Sequence, residues 1–143
     1  MVLVDGEGTP LGLHLDSATP QEITLLKPTL ETVSVARRHH PGRPRMKPDR
    51  LILDRGYDSN PLRGWLPSIG IEPILPATRA HPYATHQDGR TLRRYRRRWI
   101  VERTFAWLGS FRRLLVRHER DLENYRAFFH VACAMLALRR VLE

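Results

Sequence analysis

The sequence predicts an α/β fold, and three stretches carry that expectation. "RLILD" (50–54) and "IEPILPA" (71–77) are short apolar runs of strand length. Between them "RGYDSNPLRGWLPSIG" holds a helix start and a helix stop, so the order is strand, helix, strand, the pattern of a parallel pair with a covering helix. The first sixteen residues, "MVLVDGEGTPLGLHLD", read as a β-hairpin, and two helical patterns close the chain.

Each element has its own local warrant. In the hairpin, Val2 to Val4 and Leu11 to Leu15 are the strand runs, and Asp5-Gly6 with Gly8-Thr9-Pro10 supplies the turn. Thr19-Pro20 followed by Gln21-Glu22 has the look of an N-cap with proline at the first helical position. A helix through Leu25 and Leu26 should follow, disturbed at Pro28. Residues 38–50, "RHHPGRPRMKPDR", lack apolar periodicity and should form an exposed basic loop. In the strand–helix–strand unit, Ser59 or Asn60 can cap a helix with Pro61 at its start, and Gly70 can end it. Residues 78–90 read as a polar loop. The first closing helix is expected from about Thr91 to about Leu115, with a bend at Gly109-Ser110. The second starts at Asp121 and is apolar around most of its circumference (Leu122, Tyr125, Phe128, Phe129, Leu136, Leu138, Val141), which predicts a core helix.

Length and charge narrow the function. The chain has 143 residues, enough for one domain with a core, and its 41% apolar content excludes a disordered tail. The formal net charge is +9, and arginine, the better fork for phosphate, supplies most of the cations. A polyanion partner, with nucleic acid first, fits that balance; a basic soluble protein with no such partner is the plain alternative. The lone Cys133 lies in an apolar helical pattern and reads as a small core residue, so no disulfide forms within the chain. The histidines, His39, His40 and His130 among them, show no metal-ligand spacing. No apolar run reaches membrane-spanning length and no signal peptide is visible, so an intracellular, soluble protein is expected.

Two acids stand out. Residues 93–120 hold ten arginines and only two acids, one of which is Glu102. At about 100° per residue, Val101, Phe105, Leu108 and Leu115 form one stripe, expected to be the core face. Tyr95, Arg98 and Glu102 cluster on its flank, at the border between core and solvent. Arg98 and Glu102 are four apart, so an ordinary ion pair worth a few tenths of a kcal/mol is the competing reading. Asp54 ends a strand, and in open α/β sheets ligands bind beyond the carboxyl ends of strands. Its plainer role is to cap the next turn. Asp58 is a weaker candidate, because the helix start beside it gives it ordinary work. A carboxylate at a strand end and another on a nearby helix are parts for holding Mg²⁺, which takes few carboxylates with water and phosphate oxygens. Two such ions about 4 Å apart can drive phosphodiester chemistry. Trp99 and Trp107 read as packing residues rather than base-stacking ones.

At "LDRGYDS" and "RRYRRRWIVERTFAWLGSFRRL" the sequence resembles bacterial insertion-sequence transposases of the DDE, RNase H-like superfamily, nearest to the insertion-sequence-five family. The hairpin, the "GRPR" loop and "IEPILPA" extend the likeness over nearly the whole chain. The resemblance implies one domain over residues 1–143, an incomplete RNase H-like fold made of β-hairpin, helix, strand–helix–strand and two C-terminal helices. It places the second catalytic aspartate at Asp54, in Asp54-Arg55-Gly56-Tyr57, and the catalytic glutamate at Glu102, in the Tyr95, Arg98, Glu102 signature. Both would be metal ligands for two Mg²⁺ (or Mn²⁺) ions. Arg98, Arg112 and Arg113 would contact phosphate, with Tyr95 positioned beside them. Two departures are visible. Gly109 stands where the signature has Lys or Arg, so Arg112 or Arg113 would substitute. The first strand with its aspartate has no counterpart, since Asp5 and Asp16 belong to the hairpin. The implied activity is metal-dependent cleavage and strand transfer at element ends, with this chain as a C-terminal product that is inactive alone. A non-catalytic DNA-binding fragment, a regulator or a remnant, is the alternative. The implied partners are element-end and target DNA, the product of an upstream frame and further copies of the chain, in a bacterial cytoplasm and near the nucleoid.

Overall fold

The structure, a computed structural model, describes every residue except 18, 38–41, 78–88 and 143. It is a mixture of helices and two small sheets, an α/β arrangement. Strands β1 (Val2–Val4) and β2 (Pro10–Leu13) pair antiparallel, with Val2 opposite Leu13 and a register shift between Leu3 and Val4. Asp5 organises the turn between them: its Oδ1 accepts from the backbone N–H of Glu7 and of Thr9, each at 2.8 Å. Strands β3 (Arg50–Ile52) and β4 (Glu72–Ile74) are parallel, as the strand–helix–strand order predicted. Among the described residues no strand joins the two pairs into one sheet.

Helix α1 (Glu22–Glu31) starts later than the Thr19-Pro20 reading placed it, because Gln21 is the N-cap and Pro20 lies outside the helix. Pro28 sits within α1 and the helix runs on through it. Buried Leu26 and Leu30 on either side anchor that turn, which offsets the loss of one backbone donor. Helix α2 (Asn60–Ser68) crosses between β3 and β4. Its end follows the expected glycine rule: Gly70 has φ +77°, its N–H reaches the Pro67 carbonyl and the Ile71 N–H reaches that of Leu66. The first core forms here, from Leu26 and Leu30 of α1, Leu51 and Leu53, Leu62 and Leu66 of α2, and Ile71 and Leu75. Of the predicted basic loop, residues 42–49 are described and almost all exposed, and Arg45 pairs with Asp49 at 2.5 Å. The loop expected at 78–90 lies, up to residue 88, outside the described residues.

The C-terminal third departs from the two-helix expectation. The first closing helix is four pieces: α3 (Gly89–Arg93), a 3-10 segment (Arg94–Arg98), α4 (Trp99–Gly109) and α5 (Arg112–Leu115). Its core face is also different. Ile100, Thr104 and Leu108 are buried, whereas Phe105 is 48% and Leu115 71% exposed. The α4 segment is apolar on several sides, so spacing alone left its phase open, and the hairpin turn chose it. Thr104 Oγ1 donates to the Gly8 carbonyl at 2.8 Å, while Arg97 and Arg103 donate to those of Gly6 and Glu7 at 2.6 Å. Trp99 is not a core residue; it is 53% exposed and carries the Arg103 guanidinium, which stacks 4.9 Å from Trp99 and 4.7 Å from Trp107.

Helix α6 (Leu122–Leu142) is not buried all round. Phe129, Ala132 and Leu136 pack with Val2, Leu13 and Leu108 in the second core. Val131, Met135, Leu138, Val141 and Leu142 face outward. Cys133 is half-buried at the edge of this core, and burial pushes its thiol up to about 11, which suits a packing residue rather than a reactive one.

The hairpin turn therefore clamps the second core. Gly8 has φ +92°, and a Cβ there would lie 2.8 Å from Thr104 Oγ1. Gly8→Ala is expected to destabilise the protein by about 1–3 kcal/mol through backbone strain and the displaced hydroxyl, read as a lower midpoint in urea at unchanged slope.

Candidate metal and nucleic-acid site

The site grows from two different turns of chain. After β3 the backbone turns into a 3-10 segment (Arg55–Tyr57), and Asp54 caps it by accepting the Arg55 N–H at 2.7 Å. The capping role anticipated for Asp54 is thus present, and it fixes the carboxylate at the carboxyl end of β3. From the other side, the Tyr95 hydroxyl donates to Asp54 Oδ1 at 3.0 Å, across 41 residues of sequence.

Tyr95 and Arg98 lie in the 3-10 segment, where three residues make a turn, so side chains three apart line up. Arg98 is also the N-cap of α4, where side chains four apart line up. The change of helical pitch at Arg98 therefore keeps Tyr95, Arg98 and Glu102 in one file. Arg98 Nη1 meets Glu102 Oε1 at 2.7 Å, so the i,i+4 ion pair is real. Glu102 is more exposed than a border position implies: its side chain is 55% accessible, on the face of α4 turned away from Ile100 and Thr104.

Asp54 is held below the usual carboxylate range, first by the Arg55 N–H and then by the Tyr95 hydroxyl and the positive charges of Arg98 and Arg55; partial burial opposes them. The Tyr95 hydroxyl is pushed up by desolvation and by the Asp54 carboxylate. Arg98 thus acts electrostatically on Asp54 while bonded to Glu102, and one cluster links both acids through a phenol and a guanidinium. Two further residues extend it that sequence reasoning passed over. Tyr57 donates to Glu22 Oε2 at 3.3 Å, and its hydroxyl is raised by burial, by Glu22 and by Asp54. Tyr57 was within reach of inference, since it stands three residues after Asp54; Glu22 left no signal, because only tertiary packing brings α1 here.

Asp58 is an ion-pair partner rather than the expected helix cap, since Ser59 is the N-cap of α2. Its side chain is fully buried and pairs with Arg63 of α2 at 2.6 Å. Among the proposed phosphate contacts, Arg113 is occupied by Glu119 at 3.1 Å and stacks 4.6 Å from the Phe128 ring, tying α5 to α6. Arg112 is exposed with no bond to a described residue, and so are Arg93, Arg94 and Arg96 around Tyr95. Those last three were missed as individuals because the run of arginines gave no reason to separate free cations from Arg97, which is spent on the hairpin turn. At the position of the signature's basic residue, Gly109 leaves open space, with nothing within 4 Å of where a Cβ would lie.

Among the described residues no group of three or more His, Cys, Asp or Glu could hold a metal ion. Asp54 and Glu102 supply hard oxygen donors of the kind Mg²⁺ accepts when water and phosphate complete its shell. No helix among the described residues is long and apolar enough to cross a membrane.

The family model for the transposase DDE domain matches residues 1–137. The chain belongs to this family. It is 36% identical over 135 residues, 94% of its length, to a protein named as a transposase for insertion sequence element IS402 of Burkholderia cepacia. It is 33% identical over 92 residues, 62% of its length, to one named for insertion sequence element IS6501 of Brucella ovis. The chain spans 60% of the first relative and 67% of the second. No solved structure matches it significantly. Membership in the transposase domain family implies dependence on a divalent metal in general terms.

The cluster sets a sign for titration. Replacing Tyr95 by Phe removes one of the groups that lower the Asp54 pKa, so that pKa should rise; carboxyl-carbon NMR titration of wild type and Tyr95→Phe reads the shift directly. Because the folded pKa of Asp54 is depressed, its contribution to stability is present above the unfolded value and lost as pH falls through the folded one. In Tyr95→Phe that contribution should be smaller and its loss complete at higher pH.

Proposed function

We propose that this chain is the part of a DDE transposase that supplies Asp54 and Glu102 to a Mg²⁺- or Mn²⁺-dependent site for phosphodiester cleavage and strand transfer at insertion-sequence ends. The observation that carries the reading is the single polar cluster in which Tyr95 holds Asp54 and Arg98 holds Glu102. When bound, the metal would act as a Lewis acid on the attacking and leaving oxygens. The chain's own residues do the rest. Tyr95 and the Arg55 N–H fix the Asp54 carboxylate as an anion, and Arg98 orients Glu102. Arg94 and Arg96, beside Tyr95, are the cations free to take the DNA backbone, with Arg93 and Arg112 further along; Arg98 can exchange its carboxylate for a phosphate.

Two carboxylates are fewer than the family's name implies. We read the third as coming from polypeptide outside these residues, encoded by an upstream frame, on an RNase H-like strand that would join the β1–β2 and β3–β4 pairs. Leu3 of β1 packs against the same core as Leu51 and Leu53, which is where such a strand would have to lie. The finer placement in the insertion-sequence-five family and action near the nucleoid belong to the same reading.

A nicking assay tests it: element-end DNA, Mg²⁺ or Mn²⁺, and this chain with and without the upstream product. Metal-dependent cutting is expected only with both polypeptides, and it should fall at least a hundredfold in Asp54→Asn and in Glu102→Gln while DNA binding persists. Salt-sensitive binding with no cutting in any combination would leave the chain a DNA-binding fragment. For the phosphate contacts, Arg96→Ala should lower the slope of log affinity against log salt by about one across DNA sequences.

A further inference from the structure

Helix α6 carries a second apolar stripe, opposite the one that packs on the hairpin. Ala127, Val131, Ala134, Leu138 and Val141 are all exposed and recur at steps of four, three, four and three, with Met135 and Leu142 beside them. That 3.5-residue period is the spacing found along the seam of a helix pair. Val131 is 56%, Leu138 57% and Leu142 78% exposed, so the stripe is contiguous apolar surface on a chain of net charge +9.

Charge is kept off this face. Between Ala127 and Leu142 the ionisable side chains are His130, Cys133, Arg139 and Arg140. Cys133 lies on the packed side, and Arg140 is turned back to the Glu7 carbonyl and the Trp107 ring. Only His130 and Arg139 flank the seam, and sizes along it are uneven, small toward its start and large toward its end.

We propose that this face of α6 is the docking surface for a second copy of the chain, with the two helices antiparallel about a two-fold axis between Ala134 and Met135. In that register Leu142 faces Ala127, Leu138 faces Val131 and Met135 faces Ala134, so each large side chain meets a smaller one. Arg139 faces His130 rather than another arginine. A parallel pair would set Ala127 on Ala127, leaving a gap, and Arg139 on Arg139. The antiparallel contact is isologous and closes on itself, as most protein dimers do. One helix pair sits at the small end of specific interfaces, under about 1,200 Å², so the dimer forms with a concentration-dependent equilibrium. The inference stands on the helix face alone and not on the reading of the two acids.

Sedimentation and disulfide trapping test it. The wild-type chain should shift from monomer to dimer with rising concentration, and Leu138→Glu should weaken the dimer at least tenfold with its circular dichroism unchanged. Met46→Glu, at an exposed apolar residue away from α6, should leave it as it was. In a Cys133→Ala background, Ala134→Cys should form an interchain disulfide by itself, whereas Ala127→Cys should form one only when mixed with Leu142→Cys. A chain that stays monomeric at the highest soluble concentration overturns the proposal, as does a dimer indifferent to Leu138→Glu. Self-crosslinking by Ala127→Cys overturns the antiparallel arrangement.

Discussion

The Tyr95 hydroxyl ties two packed regions of this molecule together at the place where its chemistry is concentrated. Tyr95 reaches from the arginine-rich segment to Asp54 at the end of β3, 41 residues earlier. The hairpin, α4 and α6 share one core and β3, β4, α1 and α2 flank another; Leu3 of β1 and the Leu13 N–H bond to Thr32 tie the hairpin to the second group, and the Tyr95 bond brings the arginine-rich segment to Asp54. The bond also orders the electrostatics. Asp54 stays ionised because donors and cations converge on it, and the phenol remains protonated because the same carboxylate and its partial burial discourage ionisation.

The arginines divide by what holds them. Arg97, Arg103 and Arg140 donate to carbonyls in the turn between β1 and β2, and Arg113 braces α5 on α6, so much of the positive charge is structural. Arg63 of α2 pairs with the buried Asp58 carboxylate. What is left over around the site is Arg93, Arg94 and Arg96 on one side of Tyr95 and Arg112 beyond α4, while Arg37, Arg43, Arg120 and Arg139 are exposed elsewhere on the chain. A net charge of +9 therefore overstates the surface free to meet an anion, and the position of the free charge matters more than its sum.

Much of the first half was legible in the sequence. The hairpin announced itself through Asp5-Gly6 and Gly8, and the βαβ unit through Pro61 and Gly70, because turn chemistry is local and each of these residues has few alternatives. The Arg98–Glu102 pairing was legible too, since it follows from spacing within one short stretch. The C-terminal phase was not. "WIVERTFAWL" offers two overlapping apolar stripes, and tertiary contacts decide between them: the hairpin-turn carbonyls that take Arg103 and Thr104, and the second core that takes Leu108. The same holds for α6, whose two apolar faces look alike in sequence although the protein covers only one. Glu22 beside Tyr57 and Arg113 beside Glu119 are tertiary facts that no spacing carries.

The tightening of the helix before Arg98 has a consequence for how such a chain can vary. Tyr95, Arg98 and Glu102 are aligned by a count of residues, three in one kind of turn and four in the next. Exchanging side chains between them leaves the count intact, but adding or removing one residue would swing the acid by about 100° around the helix axis. This stretch should accept altered lettering far more readily than altered length, whereas the surface segment at 42–49 has no such arithmetic to keep.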